Sequence, residues 1–391
     1  MSAQTTAFPD VKGSSIVLAT PTADEQRATW TATHSSWGPG LTLQQYLERE
    51  VYLLTVPLSR NGGLSPWILT DNASATDRPV LSSCETIKKR AIVSSPDGII
   101  EDVTAHGVAS VFTYPDRRGR GYGGKMMTLL GEQLAKQEAA SPGSARLSIL
   151  FSDIGSQFYA KDGWMSIGNT HIEFPVGGDM PTDPASPSIT ELGDDDLAAL
   201  AEKDEQLVRA KLSQPLPASN AAKTRVAILP DHDTYQWHYR REDFMMQHFL
   251  SSPVRVRGAM YTPPSGQPGR RIWALWVRTR YGGAEGHDVF TILHFLRFVV
   301  EDEAATTDEE LADALRGILA VAQRQAQDAQ CRSIDIWSPS DRVRAIFDQR
   351  LPELQGKFVT RDMYNLTCMR WFGAGTTDDL EWVANEKFEW C

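Results

Sequence analysis

Cysteine is scarce: Cys84, Cys331, Cys368 and Cys391 are the four in 391 residues, widely spaced and without a C-x-x-C pair. That scarcity argues against a disulfide framework and against a cysteine zinc cage. No apolar run approaches the roughly 18 to 20 residues that cross a bilayer, and the start MSAQTTAFPDVKGSS has no basic end followed by an apolar stretch. Positive charge is also in deficit. Lysine plus arginine (39) against aspartate plus glutamate (50) leaves −11, which removes any general attraction to nucleic acid or anionic lipid. The expectation is a cytoplasmic protein with no nucleic-acid, membrane or metal partner. What is present, 41% hydrophobic and 23% charged residues, is the make-up of an ordinary globular chain, long enough for two or three domains.

The pattern along the chain predicts a mixed α/β protein. Ser15 to Thr20 reads as a strand, followed by a helix from Ala23 capped by Thr22, and Thr42 and Gln45 have capping-box spacing at a second helix. Strands are predicted at Pro66 to Thr70, Pro79 to Val93, Thr104 to Tyr114 and Ala145 to Ser152, then a short helix around Gly155 to Lys161 and a return strand in GWMSIGNTHIEFP. VGGDMPTDPAS, rich in proline, glycine and small polar residues, marks a boundary near 175. The division expected is 1–175, a linker with a solvated acidic helix over 176–221, and a second α/β unit over 222–391. In that unit Thr307 and Glu310 have capping-box spacing at the head of a long helix.

Chemistry concentrates where a strand ending VFTYP meets Arg118-Gly119-Arg120-Gly121-Tyr122-Gly123-Gly124 and then a strong helix with an apolar stripe at Met127, Leu130 and Leu134. Glycines permit close approach and unusual φ, consecutive amides donate, and the helix dipole favours negative charge, so such a loop can seat a diphosphate. Arg117, Arg118, Arg120 and Lys125 gather positive charge there within an acidic chain. A tight turn or a helix cap would use the same glycines. No G-K-[ST] follows, which removes the Walker reading, and neither an early βαβ unit nor an acidic ribose ligand supports a dinucleotide fold.

Arg118-x-x-Gly121-x-Gly123 after a VFT strand is similar to the acetyl-coenzyme A loop of the GNAT acetyltransferase superfamily. Phe158-Tyr159-x-Lys161-x-Gly163-Trp164 resembles that superfamily's second motif. This likeness covers about residues 14 to 175. CETIKKRAIV, HGVASVFTYPDRRGRGYGGKMM and the ending WVANEKFEWC look more narrowly like the fungal lysine N-acetyltransferases that modify free lysine, over nearly the whole chain. The resemblance implies a GNAT fold followed by a second, degenerate GNAT-like domain that closes the substrate cleft. It also implies direct attack of an amine on acetyl-coenzyme A, as a step of lysine breakdown.

On that resemblance the backbone of Val111, Phe112 and Thr113 would bind pantetheine or the thioester oxygen, with Arg118 to Lys125 and Ser156 completing the cofactor site. Tyr159 would protonate the leaving thiolate; a packed tyrosine is the plainer reading. A lysine amine with a pKa of roughly 10.4 must lose a proton before attacking. His106, which alternation places on one strand face with Ser110, is one expected base, and the Cys391 carboxylate of a docked tail is another. Glu50, Glu85, Trp237, Arg241 and Glu242 are the expected substrate contacts, against the commoner role of such groups as salt-bridged surface. The loop 301–307, EDEAATT, carries acids in place of glycines and would repel a diphosphate. Another amine (a polyamine, an amino sugar or a protein lysine) and a non-catalytic acetyl-coenzyme A sensor stand as alternatives.

Overall fold

The computed structural model describes residues 8–73, 78–184, 186, 188–216, 223–264, 266–282 and 288–390. Its first part runs β1 (Ile16–Ala19), α1 (Ala23–Trp37), α2 (Leu43–Leu53), β2 (Leu64–Asp71), β3 (Val80–Ser94), β4 (Ile100–Thr113), α3 (Tyr122–Ala140), β5 (Leu147–Ser152), α4 (Gln157–Ala160) and β6 (Met165–Ser166). Then follow β7 (Thr170–Pro175), β8 (Ile189–Leu192), α5 (Leu197–Leu212), β9 (Thr224–Ile228), α6 (His232–Met246), β10 (Gly258–Tyr261), β11 (Ile272–Tyr281) and β12 (Phe290–Val300). The chain continues with α7 (Asp308–Asp328), β13 (Cys331–Trp337), α8 (Asp341–Gln349), β14 (Lys357–Thr360), β15 (Leu366–Trp371) and β16 (Leu380–Trp382). The capping boxes at Thr22, Thr42 and Thr307 all form, each with its side chain accepting from the third helical amide and the residue there reaching back. No helix among the described residues is long and apolar enough to cross a membrane.

Two mixed sheets result. The first has the order β1-β2-β3-β4-β5-β15-β6, with β9 and β16 added beside β3; the second has the order β14-β7-β13-β12-β11-β10-β8. The first sheet takes β9, β15 and β16 from the later part of the chain, and the second takes β7 from the earlier part. β7 lies antiparallel to β13, and β15 lies antiparallel to β5. The expected return strand therefore breaks after Ser166: β6 stays on β15 while β7 enters the second sheet. The boundary expected at 175 falls just after β7, and strands cross it in both directions.

α3 covers one face of the first sheet with Met126, Met127, Leu130 and Leu134, all buried against Leu81, Val108 and Leu150. A second core forms between the sheets, where Leu147 and Ile149 join Trp273, Leu275 and Val277. α7 packs Leu315, Ile318 and Leu319 on the outer face of the second sheet. α5, expected to be solvated, is half-buried: Asp204 is 1% exposed and holds Arg297 through both Nε and Nη2 at 2.9 Å. A charge-rich sequence hides such a helix because the compensating cation sits on a strand almost a hundred residues away.

Candidate active site

β4 and β5 run parallel with their ladder ending at Val108 and Leu150, while β4 continues to Thr113. The strands part there like a fork. A cavity of about 830 Å³ occupies the opening, lined on one side by Val111, Phe112, Thr113, Arg118, Gly119, Gly121, Tyr122, Gly123, Gly124 and Tyr159. On the other side it meets Trp30, Tyr46, Arg49, Glu50, Glu85, Trp237, Arg241 and Trp390. Residues from α2, β3, β4, α6 and the C-terminal tail thus share one space.

The loop reaches α3 through Gly119 at φ +76° and Gly121 at φ +85°, a left-handed backbone that other residues adopt at a cost. Gly121 is the N-cap of α3 and no side chain caps the helix, so its leading amides face the cavity mouth with the positive end of the dipole. Thr113 Oγ1 lies 3.1 Å from where a Cβ on Gly123 would sit. Arg118 donates to the Thr113 carbonyl at 3.1 Å, and Tyr122 donates to the Pro9 carbonyl at 2.5 Å, which ties the chain start to this loop. Arg120 is turned away from the cavity lining, over Phe8 at 4.5 Å from the ring centroid. Lys125 and Ser156 also lie outside the lining.

Tyr159 is buried in α4, and its hydroxyl has no hydrogen-bond partner among the described residues. Burial first, then the nearby Asp153, raises its pKa well above the ordinary tyrosine range, so it keeps its proton near neutral pH.

Glu85 is the group whose chemistry stands out. Its carboxyl is pushed up to about 7, chiefly by burial and next by the Glu50 charge, against the pull of the Ser110 hydroxyl, which donates to Oε2 at 3.0 Å, and of Arg49. Ser110 reaches it because β4 is bulged: Phe112 pairs with Ser83 and Ala109 with Glu85, leaving two residues opposite Cys84, with Ser110 at φ +54°. The bulge overturns the expected alternation. Ser110 turns to the Glu85 face, whereas His106 lies on the opposite face, 3% exposed, its Nε2 3.2 Å from the Ser144 carbonyl in the turn after α3. His106 is outside the cavity lining, and burial lowers its pKa, so its placement lends nothing to the expected base role.

Arg49 is paired with Glu50 at 2.6 Å and lies over the Tyr46 ring. Arg241 differs: its guanidinium lies 5.3 Å from the Trp390 ring centroid and makes no ion pair among the described residues. Burial, with Arg49 nearby, lowers its pKa to about 10, so it remains charged at neutral pH. Glu242, expected at the substrate, instead sits 1% exposed between Arg257 at 2.8 Å and Arg278 at 2.9 Å. It is a structural anion; it directly follows the cavity-lining Arg241, but the helix points it the other way. Cys391 lies outside the described residues. The tail up to Trp390 is docked, with His238 Nε2 2.8 Å from the Phe388 carbonyl and Trp382 donating to Glu389 at 3.0 Å.

The description "LYC1 GNAT-like C-terminal domain" matches residues 171–391, more than half of the sequence. The chain belongs to this family. A lysine acetyltransferase of Yarrowia lipolytica is 26% identical over 273 residues, which are 60% of this chain and 67% of that protein. An uncharacterized protein of Saccharomyces cerevisiae is 26% identical over 264 residues, 57% of this chain and 63% of that one, so the chain spans about two thirds of the curated relatives it matches. An Enterococcus faecalis protein of unknown function, described as a probable N-acyltransferase, superposes with a TM-score of 0.51 at 13% identity, covering 91% of this chain and 72% of that one. Saccharomyces cerevisiae N-myristoyltransferase with bound myristoyl-CoA gives 0.51 at 8% identity, covering 93% and 84%. At these identities the likeness is one of fold. Family and fold are those of the GNAT-type acetyltransferases.

Proposed function

We propose that the cavity transfers an acetyl group from acetyl-coenzyme A to the side-chain amine of free L-lysine. The reading rests on one observation above the others: a single cavity joins an uncapped, glycine-lined helix start to a half-buried carboxyl and a guanidinium with no ion pair among the described residues. The names of the Yarrowia and N-myristoyltransferase relatives agree with an acyl-coenzyme A donor and an amine acceptor.

In this mechanism the amides at the head of α3, with Arg118, hold the diphosphate of the coenzyme, and the parted edge of β4 at Val111 to Thr113 positions the pantetheine and thioester. Arg241 receives the α-carboxylate of lysine, and the carboxylates of Glu50 and Glu85 attract the cationic side chain. Glu85 takes the ammonium proton. A second cavity of about 20 Å³ behind it, lined by Glu50, Glu85 and Ser110, has room for one water to pass that proton on. The freed amine attacks the thioester carbon, and Tyr159 protonates the departing thiolate.

Steady-state kinetics with L-lysine and with 1,5-diaminopentane, the same chain without the carboxylate, tests the acceptor. Arg241→Ala should raise KM for lysine about tenfold or more, the worth of a hydrogen bond to a charged group, and leave the diamine unaffected. Equal losses on both would remove Arg241 from carboxylate recognition, and coenzyme binding without turnover on any amine would leave a sensor.

A further inference from the structure

We propose that a second site, outside the acetyl-transfer cavity, holds one zinc-type divalent cation between strands β7, β12 and β13. His171 and Glu173 stand two apart on β7 and so share a face; Asp335 of β13 pairs directly with Glu173, and His294 of β12 pairs directly with Asp335. One face across three strands therefore carries the row His294, Asp335 and Glu173, with His171 two residues along β7 opposite Trp337. A ligand atom from each of His171, Glu173 and Asp335 lies within 4.8 Å of the others, and His294 Nδ1 is 3.7 Å from Asp335 Oδ2.

The imidazoles are the second, independent observation. His171 is 8% exposed and His294 2%, yet Nδ1 of each is buried with no hydrogen-bond partner, a state that folded proteins rarely leave unexplained. The surroundings are those of a built site. Tyr281 Oη engages the other ring nitrogen of His294 at 2.9 Å, leaving Nδ1 facing Asp335, and Ser333 donates to Asp335 Oδ1 at 2.9 Å. Outer partners of this kind orient metal ligands and fix which imidazole nitrogen is free. Mixed imidazole and carboxylate donors suit zinc at about 2.0 to 2.2 Å, and small side-chain rotations would bring these atoms to that distance. Glu173 is only half-buried, which leaves a way in from solvent.

Two cations compete for Asp335: Lys387, whose Nζ lies 4.2 Å from the Trp337 ring centroid and 3.5 Å from Tyr281 Oη, and Arg361. Its guanidinium lies over Trp337 at 4.0 Å and donates from Nη1 to the Thr170 carbonyl at 3.3 Å, and it makes no ion pair with Asp335. None of the four ligands lines the acetyl-transfer cavity, so the ion would clamp the second sheet and take no part in the chemistry. Sequence spacing could not show the site, because its ligands come from three strands spread over residues 171 to 335.

Full-length protein purified without metal resin or chelator would be assayed for metal by plasma mass spectrometry, then stripped with EDTA and titrated calorimetrically with Zn²⁺ alone. One zinc per chain, a rise in Tm on reloading, and loss of that binding in both His171→Gln and Asp335→Asn support the site. If one variant fails to fold, the other decides. The proposal is overturned if stripped wild-type protein shows no saturable zinc binding, as expected where Lys387 and Arg361 neutralise Asp335. It is equally overturned if the folded variants bind zinc as wild type does, which would place the ion elsewhere.

Discussion

The two sheets fork in the same way and put the fork to opposite use. In the first, the β4–β5 ladder stops at Val108 and Leu150; in the second, the parallel β12–β13 ladder stops at Phe295 and Ile336 while β12 runs on to Val300. The first fork stays open as the cavity. The second is filled by the chain's own tail, where the Glu386 carboxylate accepts the Phe298 amide at 2.8 Å and pairs with Arg297. Their helix starts differ in the same sense. α3 begins at a left-handed glycine without a side-chain cap, whereas Thr307 and Glu310 close α7 and Glu301 is held by Arg271 at 2.5 Å. A fork offers unpaired backbone polar groups, and these must be met by a ligand or by the protein itself. The first fork leaves them to the cavity and the second meets them with the chain's own tail.

The sharpest way to break this contrast is to remove the acid from the open fork. Glu85→Gln should lower kcat by on the order of 10² to 10⁴, the range of general-base catalysis. A base must be deprotonated to act, so the wild-type rate should climb with pH through about 7 and level above it, and the variant should lose that limb. A pH profile unchanged by the substitution would transfer the role to water or the tail. Stability should move the other way. Glu85 binds its proton more tightly folded than unfolded, so it destabilises the fold as pH rises from about 4.5 towards about 7. Glutamine, which carries no charge, should therefore melt higher at pH 8 in a thermal scan.

Tyr159→Phe comes next, with a loss of about 10² in kcat; unchanged turnover would exclude the hydroxyl as the acid. Gly121→Ala forces a side chain into left-handed backbone at a cost of roughly 1 to 2 kcal/mol, and should raise KM for acetyl-coenzyme A about tenfold. The smallest effect belongs to the closed fork. Thr307→Ala removes a helix cap worth about 1 kcal/mol, visible in Tm, and should leave kcat and both KM values as they were. A kinetic effect there would mean that the second fork is not merely structural.

Local signals carried much of this legibly. The capping boxes, the glycine loop at a strand-to-helix junction and the apolar stripe of α3 are short-range patterns, and each forms where it was expected. β8, β9, β10, β14 and β16 were missed, being strands of three to five residues that, apart from β10 beside β11, find their pairing partners far along the chain. Glu85 and Arg241 were legible as residues of interest but their conditions were not, since desolvation, the neighbouring Glu50 and the lack of an ion pair for Arg241 among the described residues are set by packing. His106 was misplaced for the opposite reason: strict alternation was assumed across a strand that the bulge at Ser110 interrupts.

The sequence alone therefore determined the mixed α/β class, the helix starts and the glycine-rich loop, because those depend on residues within one or two turns of each other. Tertiary structure decided the rest: the exchange of β7 and β15 between sheets, which fork is open, and which carboxyl has its pKa raised by desolvation. These depend on contacts between segments a hundred or more residues apart, and on the removal of water from particular charges, neither of which is written in any local pattern.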